Sequence, residues 1–400
     1  MFGEDRRWLV VIGSLVGLIV GSGSIKIFAF SILLKPTVEA IGISRSEIGL
    51  AFLIGNIFAM ACTPIYGRLI DLYGIRVISV PAITAWSATM AAFALLSPAH
   101  SWLIYPLYIL SGIFSVAQTP LPYSKAVVSW FKTRRGLALG IAISGVGLGG
   151  LLMPQYVQLV SEHFGWRWAY VAVGAAIFFV AVPMMATIVR ERPGLAAAES
   201  RLQKTPIMPV IREAMAKHQF WSLAFIFFFA VTAINGLLTH LAALLTDRGI
   251  DKSFAADALS VAGGAVILGR LLSGYLLDKF PGPYVASVMF LIPAASFLGL
   301  AWSSSPLLLI VGALGMGLGV GAEVDILGYL TSRYFGVASY GVIYGVLFSL
   351  VTAATAFGPF AIGLLYQTSG SYYSALLLAA VILGVSAIIS LFLGKYPENE

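Results

Sequence analysis

Four charged side chains of this sequence stand deep inside long apolar runs, where charged residues are rare. Arg270 lies within 255–278, a segment long enough to cross a bilayer, and Lys26, Glu323 and Asp325 lie in other apolar runs. A guanidinium presents five donors in a planar fork that fits a carboxylate, so Arg270 is a candidate for binding an anion or pairing with a buried acid. Charges at this depth cost free energy and normally face a bundle interior or a water-filled cavity.

Sequence spacing places two of these charges at a similar depth. Arg270 is eight residues before Asp278, and Asp325 is eight before Arg333, which is about 12 Å along a helix in each case. An ion pair between Arg270 and an acid of this run is therefore feasible. Residues at i and i+2 point about 200° apart on a helix, so at most one of Glu323 and Asp325 faces Arg270. Proton coupling and a purely structural pair both remain open for these acids.

The composition predicts an integral membrane protein. Of the 400 residues, 59% are hydrophobic and 10% charged, and the mean hydropathy is +0.94. A soluble domain of this composition would expose apolar surface. The net charge of +7 therefore does not indicate a nucleic-acid partner, and the single cysteine excludes a disulfide framework.

Twelve apolar runs are long enough to span a bilayer, for which about 20 residues are needed. We number them spans 1 to 12, at 8–34, 48–70, 77–97, 102–130, 137–160, 169–189, 219–245, 255–277, 284–303, 307–332, 341–364 and 373–394. Sixteen of the 24 Lys and Arg residues fall on the side of the termini, five on the opposite side and three within spans. The positive-inside rule then predicts cytoplasmic termini in a protein of the cytoplasmic (inner) membrane.

The only long polar connection, 190–217, divides the spans six and six. We expect a six-helix bundle over 1–190, a cytoplasmic linker over 191–216 and a second bundle over 217–400. The halves also repeat short motifs: GRLIDLYGIR at 67–76 resembles GYLLDKFPG at 274–282, and VSWFKTRRGLALG resembles TSRYFGVASYGVIYG. Such repeats indicate two pseudo-symmetric halves with a site between them near the membrane midplane.

The loop after span 2 resembles that of the major facilitator superfamily. The G-x-x-x-D-x-x-G-x-R motif is matched by Gly67, Asp71, Gly74 and Arg76, and Gly274 and Asp278 form a partial copy. With twelve spans and a central linker, the resemblance covers the whole chain. It implies an all-α fold of two six-helix halves, in which this loop braces helix ends during alternating access.

Three stretches further resemble the branch of monocarboxylate transporters and oxalate:formate antiporters. They are FSILLKP at 30–36, WFKTRRGLALGIA at 130–142 and THLAALLTDRGI at 239–250. The resemblance implies import or exchange of small monocarboxylates, often with a proton, and Arg270 matches the anion anchor of that branch. Val266 stands where proton-coupled animal members carry an acid, and 341–364 lacks the Lys of oxalate antiporters, so the coupling ion and a dicarboxylate substrate remain open.

Other polar residues within the spans are weaker candidates. Lys26 lies about 13 Å from the outer end of span 1, where substrate or proton binding competes with a helix-holding ion pair. Lys125 is expected to snorkel to the headgroups. His240 is a proton sensor or, more simply, an interfacial hydrogen-bonding residue. Four of these polar residues are candidates for lining a substrate cavity, although interhelical hydrogen bonds would also explain them: Gln118, Tyr123, Asn235 and Tyr344. The aromatic Phe348 is a candidate for shaping an apolar pocket, with lipid-facing packing as the alternative.

The sequence carries no motif of an enzyme. G-x-G-x-x-G at 145–150 follows no strand and lies inside a span, so it is better explained by glycines that let helices approach closely, as are Gly315, Gly317, Gly319 and Gly321. We expect no catalytic residues, no metal and no cofactor.

The resulting hypothesis is secondary transport of a small organic monocarboxylate, with Arg270 holding the carboxylate, Lys26 assisting, and protons coupled through Glu323 or Asp325. Its partners would be the anion, protons and the lipid bilayer, without nucleic acid, and the chain would act as a monomer. One alternative is an exporter of drugs or amphipathic compounds, although Pro154 follows Met153 rather than the glycine of the drug-antiporter motif. The other is a non-transporting membrane sensor, which the short termini disfavour.

Overall fold

The computed structural model describes residues 4–43, 45–192, 207–303 and 305–396. Within these ranges the chain forms helices joined by short connections, without a β-strand. Twelve helical segments of the described chain are long and apolar enough to cross a membrane. The predicted all-α fold of twelve spans is thereby confirmed.

The first six spans contain three unbroken or nearly unbroken helices and three that change their winding. Span 1 comprises Glu4–Ile19, the π-helical Ser24–Ala29 and Phe30–Ile41. Span 2 is Arg45–Tyr73, span 3 is Ile75–Ala92 followed by the 3₁₀ turn Phe93–Leu95, and span 5 is Arg135–Phe164. Span 4 consists of Pro98–Leu103, Ile104–Ser115, Val116–Gln118 and Pro120–Trp130, and span 6 of Trp166–Ala176, Ile177–Ala181 and Met184–Ile188.

The last six spans are continuous helices. A short helix, Ile207–Met215, precedes them. Spans 7 to 12 are His218–Thr246, Lys252–Lys279, Gly282–Trp302, Pro306–Phe335, Tyr340–Ser369 and Tyr373–Leu391. Of the predicted linker, residues 193–206 lie outside the described residues.

Large apolar side chains are exposed on many spans, including Phe179, Leu307 and Phe360 at 65–73%. In water such a surface would drive aggregation. In a bilayer it is matched by lipid tails, which are as apolar as the side chains themselves. The helices are apolar on both faces because one face packs on protein and the other contacts lipid.

The chain forms two compact units. The first comprises Met1–Lys132, Ile141–Ile207 and Val337–Ser349, and the second comprises Thr133–Gly140, Met208–Gly336 and Leu350–Glu400. Each unit thus holds most of one half of the sequence together with the first residues of a helix from the other half. The predicted boundaries 1–190, 191–216 and 217–400 stay a prediction about domains.

Helix packing repeats between the two units. In the first unit, span 2 packs on span 4 and span 3 on span 6; in the second, span 8 packs on span 10 and span 9 on span 12. Each pair of the second unit is therefore the equivalent of a pair six spans earlier. This repetition is the packing expected of two pseudo-symmetric six-helix halves.

Two spans of the first unit are interrupted where the sequence contains helix-breaking residues. Span 1 has a turn at 20–21, beside Gly21-Ser22-Gly23, before its π-helical segment. Span 4 breaks at Thr119, whose backbone is extended and which is followed by a helix with prolines at its first and third positions. The Thr119 hydroxyl accepts a hydrogen bond from the N–H of Leu121. π-Helical turns and broken membrane helices occur preferentially at functional sites.

Glycines allow spans 8 and 10 to lie in backbone contact. A Cβ atom at Gly317 would collide with the carbonyl oxygen of Ala262 and lie 2.7 Å from the Ala265 Cβ. The predicted role of this glycine in close packing is consistent with that geometry. A Cβ atom at Gly264, by contrast, would meet no described atom within 4 Å, so this glycine serves as a matched comparison in the same pair of spans.

We expect Gly317→Ala to destabilise the protein by about 1–3 kcal/mol, the usual cost of overpacking. Gly264→Ala should leave stability unchanged or raise it, since alanine favours a helix over glycine by up to about 1 kcal/mol. Thermal unfolding of the two purified variants in the same detergent measures both. An equal or higher melting temperature for Gly317→Ala would contradict the close packing of these spans.

Candidate functional site

A buried ion pair joins span 8 to span 10 in the second unit. Nη1 of Arg270 lies 3.4 Å from Oδ1 of Asp325, and the two side chains are 7% and 0% exposed. Gly321 brings the helices together here, because a Cβ at that position would collide with the Val266 carbonyl oxygen. The similar depth inferred from sequence spacing therefore corresponds to a contact in the structure.

Glu323 points to a different neighbour. Its Oε1 accepts a hydrogen bond of 3.1 Å from Nδ2 of Asn235 in span 7. The two acids of span 10 thus contact different spans, as their i, i+2 spacing requires. Asn235, a candidate for lining a cavity, is placed by the structure as a partner of Glu323.

The polar atoms of this cluster are incompletely hydrogen-bonded. Within the described chain, Nε of Arg270, Oδ2 of Asp325 and Oε2 of Glu323 are buried without a hydrogen-bond partner. Unpaired polar atoms in a bundle interior are costly and are rare in structural ion pairs. The cluster therefore retains one donor and two acceptors that a ligand or a proton could satisfy.

Lys26 lies in the first unit, on the π-helical segment of span 1. It lines a cavity with aromatic walls, to which Phe93, Tyr108 and Tyr170 also contribute. Among the described residues Lys26 has neither an ion-pair nor a hydrogen-bond partner. A cation in this position attracts an anion, because no carboxylate of the described cavity wall neutralises it.

Gln118 and Tyr123 lie together at the break in span 4. The Tyr123 hydroxyl donates a hydrogen bond of 2.6 Å to Oε1 of Gln118, and both side chains are completely buried. Nε2 of Gln118 is buried without a partner among the described residues. The amide thus has donor capacity beside a discontinuous helix, although neither residue lines the Lys26 cavity.

Tyr344 and Phe348 belong to an aromatic stack on span 11. The rings of Tyr340 and Tyr344 are stacked with centroids 5.0 Å apart, and those of Tyr344 and Phe348 with centroids 5.6 Å apart. Their spacing of four residues places them on one face of the helix. The structure thus places these two candidates with each other, in the first unit and outside the Lys26 cavity.

The loop motif of span 2 holds the start of span 11. Oδ1 and Oδ2 of Asp71 accept from the backbone N–H groups of Gly341 and Val342 at 3.0 and 2.8 Å. Gly67 lies against the carbonyl of Gly341, where any side chain would collide. A carboxylate at this point satisfies free N–H groups and interacts favourably with the helix dipole.

The remaining motif residues shape the connection to span 3. Gly74 has a φ of 85°, a left-handed conformation that glycine adopts without strain and that ends span 2 just before the helix beginning at Ile75. The Arg76 guanidinium donates to the carbonyls of Val189, at 3.1 Å, and Thr187. The motif therefore connects span 3 to the end of span 6 as well.

The partial copy of the motif makes the equivalent contact in the second unit. Oδ1 and Oδ2 of Asp278 accept from the N–H groups of Gly136 and Leu137 at 2.7 and 2.9 Å. Gly274 lies against Gly136, so that again two glycines face each other where the helices cross. The ends of spans 2 and 8 thus cap the starts of spans 11 and 5 by the same interaction.

The prediction that Lys125 snorkels to the headgroups is wrong. Lys125 is completely buried, and its Nζ lies 2.9 Å from Oδ1 of Asp71 and 2.8 Å from Oε1 of Glu191. It also donates to the carbonyl of Ile70 at 2.9 Å. Because Lys125 lies near the end of its span, its side chain was expected to reach the hydrated headgroups. In the structure two acids contact it instead and neutralise its charge.

His240 is held by hydrogen bonds on both ring nitrogens. Nε2 lies 3.0 Å from the carbonyl of Pro359, which can only accept, so Nε2 carries a proton. Nδ1 lies 3.1 Å from the hydroxyl of Tyr372. This geometry matches the hydrogen-bonding role considered for His240.

Sequence reasoning missed the walls of the Lys26 cavity and the acid Glu191. The polar wall residues Asn56, Ser111, Tyr108 and Tyr170 come from three spans, and each is unremarkable in its own run. The glycines at 21 and 23 and the prolines at 120 and 122 were usable signals, because such residues interrupt membrane helices at binding sites. Lys125 could have been paired with Asp71 only by knowing that spans 2 and 4 pack together.

Comparison with known proteins gives a family match over nearly the whole chain. A family model of the Major Facilitator Superfamily matches residues 14–351 and again 242–400. Monocarboxylate transporter 12 of Rattus norvegicus is 26% identical over 317 residues, covering 71% of this chain and 65% of that protein. The aspyridones efflux protein apdF of Emericella nidulans is 23% identical over 395 residues, covering 97% and 77%.

The fold is also found among solved structures. A crystal structure of the fucose:proton symporter FucP of E. coli matches with a TM-score of 0.75, covering 98% of this chain and 99% of that one. Its sequence is 15% identical to this chain, so the likeness concerns the fold alone.

We expect Lys125→Met to cost about 3–5 kcal/mol of stability, because it leaves two acids without their counter-charge, one of them deeply buried. The matched control is Lys217→Met. Lys217 is 46% exposed and 3.9 Å from Glu213, itself 79% exposed, and surface pairs of this kind contribute at most about 1 kcal/mol. Thermal unfolding in detergent compares the two. Equal melting temperatures would contradict a structural role for the Lys125 ion pairs.

Proposed function

Because the chain belongs to the major facilitator superfamily, we propose that it is a secondary transporter that moves a small organic monocarboxylate across the membrane, together with a proton. Transport would proceed by alternating access of a central site to the two sides of the membrane. Arg270 holds the carboxylate in this proposal, and Lys26 contributes a second positive charge. The membrane is the cytoplasmic one with both termini inside, and the chain acts as a monomer.

The observation that carries the proposal is the incomplete pairing of Arg270. Its Nη1 contact to Asp325, at 3.4 Å, is longer than a strong charge-assisted hydrogen bond of about 2.7–2.9 Å. Its Nε is buried without a partner in the described chain. A guanidinium in a membrane span that uses so little of its donor fork is suited to binding a carboxylate.

The position of Asp325 supports the proposed proton coupling. A substrate carboxylate that binds Arg270 competes with Asp325 for the same donors. A buried carboxylate without its cation is very costly, and taking up a proton removes that cost. Substrate and proton would therefore bind together. Glu323, whose Oε2 is buried and has no partner in the described chain, is the second candidate for carrying the proton.

The carboxylate caps at spans 11 and 5 support alternating access. Each consists of one aspartate and two backbone N–H groups, with facing glycines that allow the helices to slide apart without removing side chains from a packed core. Breaking such a contact exposes polar groups that water can satisfy. A cap of this kind can therefore open and close during each transport cycle.

Export of an amphipathic compound is the second candidate function. The aspyridones efflux protein, whose name states export, matches 97% of this chain. The relative named as a monocarboxylate transporter is slightly more similar over a shorter stretch. The two functions differ in their need for Arg270, since an uncharged exported compound has no use for a guanidinium.

We expect Arg270→Lys to weaken carboxylate binding by roughly 10- to 100-fold, because an ammonium cannot replace two hydrogen bonds of a planar fork. Uptake of labelled lactate, pyruvate, formate and benzoate into proteoliposomes gives the apparent affinity. Arg212→Lys, at an exposed arginine of the helix Ile207–Met215, is the control and should match the native protein. An unchanged affinity in Arg270→Lys would contradict anchoring by Arg270 and favour the exporter.

We expect an inwardly directed proton gradient to accelerate carboxylate uptake into proteoliposomes. Asp325→Asn should abolish this acceleration while leaving exchange of carboxylate across the membrane measurable, because the amide keeps the shape and loses the titrating group. Glu323→Gln tests the second acid in the same assay. Uptake by the native protein that ignores the imposed gradient would indicate uniport or exchange instead of symport.

A further inference from the structure

The cavity beside Lys26 is enclosed largely by aromatic and aliphatic side chains. Its walls include Phe52, Phe93, Tyr108 and Tyr170 together with Leu33 and Met90. Asn56 and Ser111 are polar residues of the same wall. Pockets that bind small organic ligands have this kind of lining, mostly apolar with a few polar groups.

Among the described residues that line the cavity, the Lys26 ammonium is the only charged group. None of these wall residues is acidic, and the remaining polar ones are an asparagine, a serine and two tyrosines. Lys125 in the same unit has two carboxylates, whereas Lys26 has no partner in the described chain. An anionic group of a ligand would supply the missing counter-charge.

The aromatic walls support one another. Phe93 contacts Tyr108 edge to face, with centroids 5.1 Å apart and planes at 81°, and stacks on Tyr170 with centroids 5.1 Å apart. Phe52 meets Tyr108 edge to face at 6.1 Å. Rings held in this way form a rigid surface onto which a further ring can stack or present its edge.

Two hydroxyl groups of the wall keep a proton to donate. Ser111 Oγ accepts from Nε1 of Trp86 at 3.1 Å, and the Tyr170 hydroxyl accepts from Oγ1 of Thr37 at 3.4 Å. Because each of these contacts uses the oxygen as acceptor, its own hydrogen is available. The cavity thus combines a cation and hydroxyl donors with aromatic walls.

We propose that this cavity binds an aryl carboxylate, with the aromatic ring against Phe93, Tyr108 and Tyr170 and the negative charge at Lys26. The inference rests on the proposed transport of monocarboxylates and specifies their class. A one- to three-carbon acid would leave most of the apolar wall uncovered. Burying roughly 60 Å² more apolar surface strengthens binding about tenfold, so an aromatic acid should be preferred over acetate by at least that factor.

The test compares three ligands on the full chain in lipid nanodiscs by isothermal titration. Benzoate carries both the ring and the charge, acetate the charge alone, and benzamide the ring alone. The native protein should bind benzoate at least about tenfold more tightly than either of the others. Lys26→Met should lose most of the preference for benzoate over benzamide, and Lys26→Arg should restore that preference. Lys217→Met, at an exposed lysine, should behave as the native protein.

A second measurement needs no substitution. Photolysis of the native protein with 4-azidobenzoate, followed by mass spectrometry, should label peptides containing Met90, Phe93 or Tyr108. An excess of benzoate should suppress the labelling, and an excess of acetate should not.

The outcomes separate this inference from the proposed function. Acetate or lactate bound as tightly as benzoate, in a manner that Arg270→Ala abolishes, would overturn the aryl class and leave carboxylate transport standing. Benzoate binding that survives Lys26→Met unchanged, or labelling confined to spans 7 to 12, would overturn the assignment to this cavity. The absence of binding by any carboxylate would overturn both.

Discussion

A charge inside a membrane span requires a partner, and three cations of this chain meet that requirement to different degrees. Lys125 is completely buried between Asp71 and Glu191, so its charge is neutralised within the protein. Arg270 makes one long contact with Asp325 and keeps an Nε without a described partner. Lys26 faces a cavity without a described partner. The pairing of the charge thus decreases from Lys125 to Arg270 and Lys26, and the proposed function depends on this difference.

The two carboxylate caps show how a duplicated sequence becomes a working pair of contacts. The motif copies at the ends of spans 2 and 8 each meet the start of a helix that belongs to the other half of the sequence, yet each contact lies within one compact unit. The repeat of VSWFKTRRGLALG in TSRYFGVASYGVIYG provides those helix starts. The first pair of repeated motifs, at 67–76 and 274–282, supplies the carboxylates, and the second pair supplies the N–H groups. Both aspartates accept the same pair of backbone hydrogen bonds. Asp71 in addition forms an ion pair with Lys125.

Much of the fold and part of the site could be predicted from the sequence. Span number follows from runs of apolar residues, because the bilayer demands a fixed length, and the depths of Arg270 and Asp325 follow from the rise per residue. The role of Lys125 and the aromatic walls beside Lys26 could not be predicted, since they depend on which spans pack together and on which faces. The interruptions at Thr119 and at the Gly21-Ser22-Gly23 turn coincide with prolines and glycines that break helices, but counting apolar residues does not detect them.

The order in which the chain is synthesised gives Lys125 a further importance. The N–H partner of Asp71 at Gly341 lies 270 residues later in the sequence, whereas that of Asp278 at Gly136 precedes it by 142. When Asp278 is synthesised, span 5, which carries its N–H partners, has already been made. Asp71, by contrast, is synthesised long before span 11. Lys125 follows Asp71 by two spans and can neutralise it during that interval. The same ion pair would then act first as a counter-charge during insertion and afterwards as part of the finished cap.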